Sequence, residues 1–525
     1  MTLFSIEFIL FFIAVLVVYY IVPGKIQWMV LLAASVMFFL LSSIPHTFIF
    51  LIVSILTIWF ASNYIGHLNS EIEGMEAQGD GIVAAVLKKK RKTMFVVTVV
   101  INIGMLAALK YTNFFLENVQ MLVNAFGSDL TIGAVRWLAP LGISFYTLQV
   151  VGYLTDVYWG ISKPQKNVFK FALFTSYFPQ ITSGPISRYS QLENQLFARH
   201  AFDFKTVCRG AARMAWGFFK KLVIADRVGI LANAVYADPA GYPGMFIWLG
   251  TFAYVLQLYA DFSGSMDIVL GASECMGIRL PENFRTPFFS RTIQEFWQRW
   301  HITLGQWLRD YIMYPVSRSR AWAKMGRGLK KRFGKKAAQR IPSYLAMLVL
   351  WVAIGIWHGN GWQFVAQGLW FWVVIVAGQL LAPAFKKTVG VLKIQTETFS
   401  WHLFQSIRTF LIFAVGVLFF GSGSLPNALY MIKSGLTVLN PTVLFSEDLV
   451  TLAGGQTNLQ IIAFGVIMLF VVGAFQAKGI SVRDWLGRQN AAFRWIVLYG
   501  LVFCVILLGL YGPGYNPTDF IYGRF

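Results

Sequence analysis

Long apolar runs recur from one end of the chain to the other, separated by short polar stretches. A helix needs about 20 mostly apolar residues to cross the hydrocarbon core of a bilayer, and several runs approach that length. The pattern predicts spans at Phe4–Val22, Ile26–Leu41, Thr47–Tyr64, Thr93–Leu109, Leu138–Val157, Ala211–Asn233 and Met245–Tyr259. Five more follow at Tyr344–Trp357, Val365–Leu381, Phe410–Phe420, Leu459–Phe475 and Phe493–Leu510. Segments near Phe171–Ser183 and Ile293–Tyr314 read as re-entrant or interfacial. The total is about 11–13 membrane-embedded elements, which predicts an all-α, polytopic integral membrane protein. Phe4–Val22 has no basic flank before it and no small-residue cleavage site after it, so it reads as a first span and not as a cleaved signal.

Composition agrees with the pattern. The 525 residues are 57% hydrophobic, 17% aromatic and 13% charged, against roughly 25% charged in a soluble domain. The net charge of +21 would suit a nucleic-acid partner, but its distribution points to the bilayer. Lys88, Lys89, Lys90, Arg91 and Lys92 form one cluster. A second runs from Arg318 through Lys330, Lys331 and Arg332 to Arg340, with no acidic residue between. Basic loops stay on the cytoplasmic side and meet anionic headgroups there. The loops 66–92 and 316–342 are therefore expected in the cytoplasm and the N-terminus outside, in a multi-pass protein of the plasma (inner) membrane. Cys208, Cys275 and Cys504 are scattered, without a CxxC pair, so neither a zinc site nor a disulfide framework is expected.

No persuasive internal repeat is visible, which weighs against inverted-repeat transporters. One membrane domain, 1–525, falls into three parts. Residues 1–110 and 400–525 are plain spans, the latter ending in an aromatic tail from Tyr511 that suits an interface. Residues 135–380 are interrupted by Gly, Pro, His, Asp and Arg. Polar groups at membrane depth are costly unless protein or a wet cavity surrounds them, so chemistry belongs in this middle third.

Six histidines narrow the search. His67 and His200 lie in hydrophilic stretches, and His46 and His402 at span ends, where an imidazole is easily solvated. His358 sits in Leu350-Trp-Val-Ala-Ile-Gly-Ile-Trp-His-Gly-Asn-Gly-Trp362. A helix starting near Ser343 carries it roughly 22 Å inward at about 1.5 Å per residue, well inside a core about 30 Å thick. Trp357 and Trp362 can wall a pocket there, while the bland alternative is a hydrogen-bonded histidine in a bundle core. An imidazole titrates near neutrality, and burial keeps it neutral and able to act as a base. An alcohol is a poor nucleophile until such a base is placed against it.

A second cluster comprises Tyr259-Ala-Asp-Phe-Ser-Gly264 and the stretch from Pro281 to Asp310. Read as one helix from Thr292, Trp297, Trp300, His301 and Leu304 share a face. Glu295 and Arg299 are placed to pair, as is Arg309 with a neighbouring carboxylate. A tryptophan-rich interfacial helix just before the basic stretch accounts for most of these residues better, and for His301 equally well. No GxSxG elbow, phosphate loop or HExxH motif occurs.

These residues resemble the membrane-bound O-acyltransferase family, especially its bacterial branch of alginate O-acetyltransferase membrane subunits and D-alanyl-lipoteichoic acid transferases. Four stretches carry the likeness: Gly142-Ile-Ser-Phe-Tyr-Thr-Leu-Gln149, Phe178-Pro-Gln-Ile-Thr-Ser-Gly-Pro-Ile-Ser-Arg188, the block from Asp261 to Asp310, and Trp357-His-Gly359. The resemblance implies that His358 is the active-site histidine and His301 its support, with helices arranged around a funnel. Trp357, Asn360, Trp300, Trp297, Asp261, Asn283 and Arg309 are the expected substrate-binding residues.

It further implies an acyl donor arriving from the cytoplasm, either acetyl-CoA or an acyl-carrier thioester, with no bound cofactor or metal. The expected acceptor is an exported cell-surface polysaccharide, served by an extracytoplasmic acyltransferase or polymer-binding partner protein. Peptidoglycan O-acetylation and D-alanylation of teichoic acid are the alternatives by the same chemistry. A transporter or flippase for a lipid-linked or anionic substrate, or an export scaffold, would be the competing class. His358 is left as either general base or acyl-carrying nucleophile.

Overall fold

The computed structural model describes residues 1–135 and 140–512. Among these the regular structure is helical, with one isolated antiparallel bridge between Phe284 and Trp300. Among the described residues, eight helices are long and apolar enough to cross a membrane: Pro45–Ala77, Gly81–Ala125, Met245–Cys275, Arg320–His358, Trp362–Val391, Phe399–Gly421, Gln456–Ala477 and Ala491–Leu508. Ile6–Ile21 and Gln27–Ser42 are shorter apolar helices. Side chains at several helix starts hold backbone amides that have no partner within the helix. Ser5 accepts from Phe8, Ser319 from Trp322 and Thr398 from Trp401. The protein is therefore all-α and polytopic. The aromatic tail beyond Gly512, and residues 138–139 of one expected span, lie outside the described residues.

Most expected spans recur with longer ends, and the extensions have a common cause. Met245–Tyr259 continues to Cys275 because the polar residues that end its apolar run have partners. Ser265 donates to the Asp261 carbonyl and Lys220 donates to Ser263. The expected loop 66–92 is largely helical: Phe48–Ala77 and Gly81–Ala125 turn through Gln78, Gly79 and Asp80, and Lys88 pairs with Glu76. The expected loop 316–342 is also helical. It breaks at Arg318–Ser319 and again at Gly334, at φ 79° and ψ 179°. The chain doubles back there, so that the Trp322 indole donates to the Pro342 carbonyl at 2.9 Å. Lysine, arginine and alanine are good helix formers; a stretch too charged for the bilayer is not thereby a loop.

The described residues form two compact units. One comprises Met1–Met214 and Met266–Pro281. Its helix Ile143–Tyr158 is buried at every position from Ile143 to Val157. The helix begins at Gly142, at φ 70°, where a Cβ would lie 1.8 Å from the Ile181 carbonyl oxygen. The segment near Phe171–Ser183 is a short helix, Val168–Ser176, followed by turns, and the Phe178 amide donates to Ser35.

The other unit comprises Ala215–Ser265 and the described residues from Glu282 onward. The expected span Ala211–Asn233 is interrupted by a π-helical turn at Phe219–Ala225, which runs into Asp226–Ala237. This wider turn buries two adjacent lysines. Lys221 pairs with Asp226 at 2.8 Å and Asp261 at 3.0 Å. A buried charge is tolerable when it is paired in this way. Arg227 ties Asp226–Ala237 to Asn458 at 2.6 Å and to the Leu508 carbonyl at 2.7 Å.

Candidate active site

His358 is the last residue of its helix. Gly359, in extended conformation, and Gly361 turn the chain directly into Trp362–Val391. The two helices touch backbone to backbone. A Cβ on Gly355 would lie 2.5 Å from the Phe364 carbonyl oxygen, and one on Gly368 2.3 Å from that of Trp351. That approach brings Gln367 within reach of the histidine, with its Oε1 3.1 Å from His358 Nδ1. Phe420, from Phe399–Gly421, presents its ring perpendicular to the imidazole at 5.4 Å. His358 and Gln367 are both buried.

His301 arrives by a different construction. The segment from Thr292 is not one helix: Ile293–Arg299 stops, His301 takes a left-handed conformation at φ 45° and ψ 51°, and Ile302–Leu308 begins. Non-glycine residues rarely adopt that region, and they hold it only where surroundings over-determine it. Asn283 supplies much of the constraint. Its carbonyl accepts from the Ile302 amide at 3.1 Å, and its Oδ1 accepts from the Thr303 amide and hydroxyl, both at 2.9 Å. The same Oδ1 lies 3.4 Å from His301 Nδ1. The Arg285 amide donates to the Arg299 carbonyl at 2.9 Å, flanking the Phe284–Trp300 bridge.

The break decides which side chains meet. His301 packs on Phe262, ring centres 4.8 Å apart, and on Trp357 at 5.8 Å, and Trp357 lies 5.6 Å from His358. One indole thus touches both imidazoles. His301 belongs to none of the eight long helices. Burial, followed by the neighbouring His358, holds its imidazole well below the usual histidine range, so it is neutral at physiological pH.

Trp297 and Trp300 sit elsewhere, and their shared helix face with His301 does not exist. Trp297 packs on Trp351 at 5.0 Å and Phe371 at 4.8 Å, and Trp300 on Phe413 at 5.0 Å. Trp351 is seven residues before His358, and Phe413 seven before Phe420. Two helical turns, about 10 Å, therefore separate this aromatic layer from the histidine layer along both helices.

The remaining expected residues are distributed unevenly. Asn283 lies against His301 as scaffold, and Asp261 is the buried partner of Lys221, one residue before the Phe262 that packs on His301. Asn360 is exposed in the turn after His358. Arg309 is half-exposed and pairs with Asp310 at 3.1 Å, while Glu295 and Arg299 pair at 2.6 Å. Sequence reasoning passed over Gln367, Phe420 and Thr303. An amide inside an otherwise apolar span was the available signal for Gln367; nothing marked Phe420 among many phenylalanines.

Known proteins resemble this chain in sequence. The sequence model of the membrane-bound O-acyltransferase family matches residues 163–327. A probable alginate O-acetylase of Pseudomonas syringae pv. tomato is 31% identical over 390 residues, covering 74% of this chain and 68% of the relative. One from Azotobacter vinelandii is 29% identical, covering 88% and 83%. A peptidoglycan O-acetyltransferase of Helicobacter pylori is 27% identical, covering 67% and 66%.

Proposed function

Since the chain belongs to the membrane-bound O-acyltransferase family, and is thus a multi-pass membrane O-acyltransferase, we propose that it moves an acetyl group from a cytoplasmic thioester towards hydroxyls of an exported cell-surface polysaccharide. The observation that carries the reading is the pair of buried imidazoles, His301 and His358, joined through Trp357 in apolar surroundings. Relatives named as O-acetylases of alginate and of peptidoglycan support acetyl as the group and a surface polymer as its destination.

In this mechanism His358 Nε2 takes the proton of the acceptor hydroxyl while that oxygen attacks the thioester carbonyl carbon. The tetrahedral oxyanion collapses, the carbon–sulfur bond breaks, and the leaving thiolate recovers the proton from the imidazolium. His301, its Nδ1 held at Asn283 Oδ1, packs on Trp357 and fixes the indole that faces His358. Surrounding aromatic rings exclude water that would otherwise hydrolyse the thioester. The donor is acetyl-CoA or an acyl-carrier thioester, and an extracytoplasmic partner protein completes delivery to the polymer.

Charge along the helices supports the direction of transfer in a plasma (inner) membrane. Arg320–His358 starts basic, and Trp362–Val391 returns to Lys386, Lys387 and Lys393. Gln456–Ala477 likewise ends before Lys478, Arg483 and Arg488. Between Gly421 and Gln456 the chain carries one lysine, Lys433, against Glu447 and Asp448. Basic ends favour the cytoplasm, which supports a His358 turn towards the outer face and an N-terminus outside.

The test measures ester content of surface polymers by mass spectrometry in cells lacking the protein and complemented with wild type or His358→Ala at matched membrane abundance. Loss of an acetyl ester with the variant is expected, and the ester's mass identifies the acyl group. Full restoration by His358→Ala would remove the histidine from the chemistry.

A further inference from the structure

Both histidines are held at the same ring nitrogen by a side-chain amide oxygen. Asn283 Oδ1 lies 3.4 Å from His301 Nδ1, and Gln367 Oε1 lies 3.1 Å from His358 Nδ1. The second contact has a consequence for catalysis. A carbonyl oxygen has lone pairs and no proton, so a hydrogen bond between Oε1 and Nδ1 requires that Nδ1 carry the hydrogen. The basic lone pair of the neutral ring then resides on Nε2. In water the two tautomers interconvert freely, and a base with its proton on the wrong nitrogen cannot accept one from the acceptor hydroxyl.

We propose that Gln367 is a positioning residue that holds His358 in the Nδ1–H tautomer and fixes the tilt of its ring, so that Nε2 is the permanent proton acceptor of the site. The inference rests on the reading of His358 as the base. Three features of the hairpin build the contact. Gly355 and Gly368 let the two helices close to backbone distance, as the Cβ positions at both show. Gln367 precedes Gly368 and is therefore carried inward with it. Phe364, three residues before Gln367, packs on Phe420 with ring centres 5.4 Å apart, and Phe420 in turn meets the imidazole at a right angle. Amide and ring are thus both sterically fixed, in a buried place where a side-chain hydrogen bond is strong and its loss is felt.

A neutral amide suits this task in apolar surroundings. It orients the ring as a carboxylate does in other histidine pairs, without placing a full negative charge inside the membrane. The opposite arrangement, an amide N–H donating to Nδ1, would put the proton on Nε2 and disable the base; the two arrangements predict opposite spectra.

The full-length protein, labelled with ¹⁵N-histidine and reconstituted in lipid, is examined by solid-state NMR. The His358 signals are identified as those missing from His358→Ala. Wild type is expected to show Nδ1 protonated and Nε2 bare, Gln367→Glu to keep that pattern, and Gln367→Met to show a mixture of tautomers. In cells, Gln367→Met is expected to lower polymer ester at least about tenfold at equal abundance, with Gln367→Glu restoring most of it. A protonated Nε2 in wild type overturns the inference, as does wild-type ester content in Gln367→Met. Ester formation surviving in His358→Ala would instead sink the base reading itself, so the two failures are separable.

Discussion

The left-handed backbone at His301 shows what holds a side chain where its own conformational preference would not put it. Asn283 accepts through its main-chain carbonyl and two ways through one Oδ1 that also lies by the imidazole. Removing that oxygen takes away the acceptor of two buried hydrogen bonds from Thr303, each worth about 0.5–1.5 kcal/mol. Asn283→Ala is accordingly expected to lower the detergent melting temperature and to abolish most ester formation although no histidine is changed. Asn283→Asp, which keeps the acceptor, should hold the fold better. A second substitution separates backbone from chemistry. Asparagine tolerates the left-handed region well, so His301→Asn should melt near wild type yet lose ester formation, whereas a β-branched His301→Val should also melt early. Equal melting of the Asn and Val variants would show that the strain at this position is unimportant.

Among elements, the hairpin of Arg320–His358 and Trp362–Val391 depends most on small residues. Gly368→Ala places a methyl against the Trp351 carbonyl oxygen, 2.3 Å away, which is main chain and cannot rotate aside. The helices must part, at about 1–3 kcal/mol for such overpacking, and Gln367 withdraws from His358. We expect ester formation to fall with protein still present in the membrane, and the variant's His358 NMR pattern to resemble that of Gln367→Met. Gly378→Ala, on the same helix with nothing within 4 Å, is the neutral control. This hairpin also marks how far a sequence can be read. Apolar run length located its two spans, and the Gly, Trp and His content of residues 355–362 drew attention to His358. The Gln367 contact depends on how closely two helices approach, and one residue's spacing along a chain does not encode that distance. The break at Trp300–His301 was likewise hidden. Periodicity assumes continuous helix, and the bridge that interrupts it comes from Phe284, sixteen positions earlier. The basic stretches were misread for the converse reason: charge excludes a segment from the bilayer, but it does not unwind it.

Across the whole molecule, helix length and charge together argue for orientation. Gly81–Ala125 has 45 residues, about 67 Å of helix at about 1.5 Å per residue, roughly twice the hydrocarbon thickness. The surplus includes the basic run Lys88–Lys92, so this helix must project from the membrane on the side its lysines choose. The same rule applies to the hairpin around Gly334, and the segment between Gly421 and Gln456, poor in lysine and arginine, is expected on the side opposite that hairpin. Single cysteines at two exposed positions test the arrangement in a background with Cys208, Cys275 and Cys504 replaced by serine. Lys330→Cys should be protected from a membrane-impermeant maleimide in intact cells and labelled once they are permeabilised. Glu447→Cys should be labelled in intact cells. Reversed labelling would turn the molecule over, and the donor would then have to reach the His358 turn from outside. Labelling of both positions in intact cells would mean that the two segments share a face, which an odd number of crossings between them forbids. The expected outcome puts a basic hairpin where a cytoplasmic thioester is made and the histidine turn towards the face where polysaccharide is exported. It thereby ties the charge pattern of the chain to the direction in which the acyl group must travel.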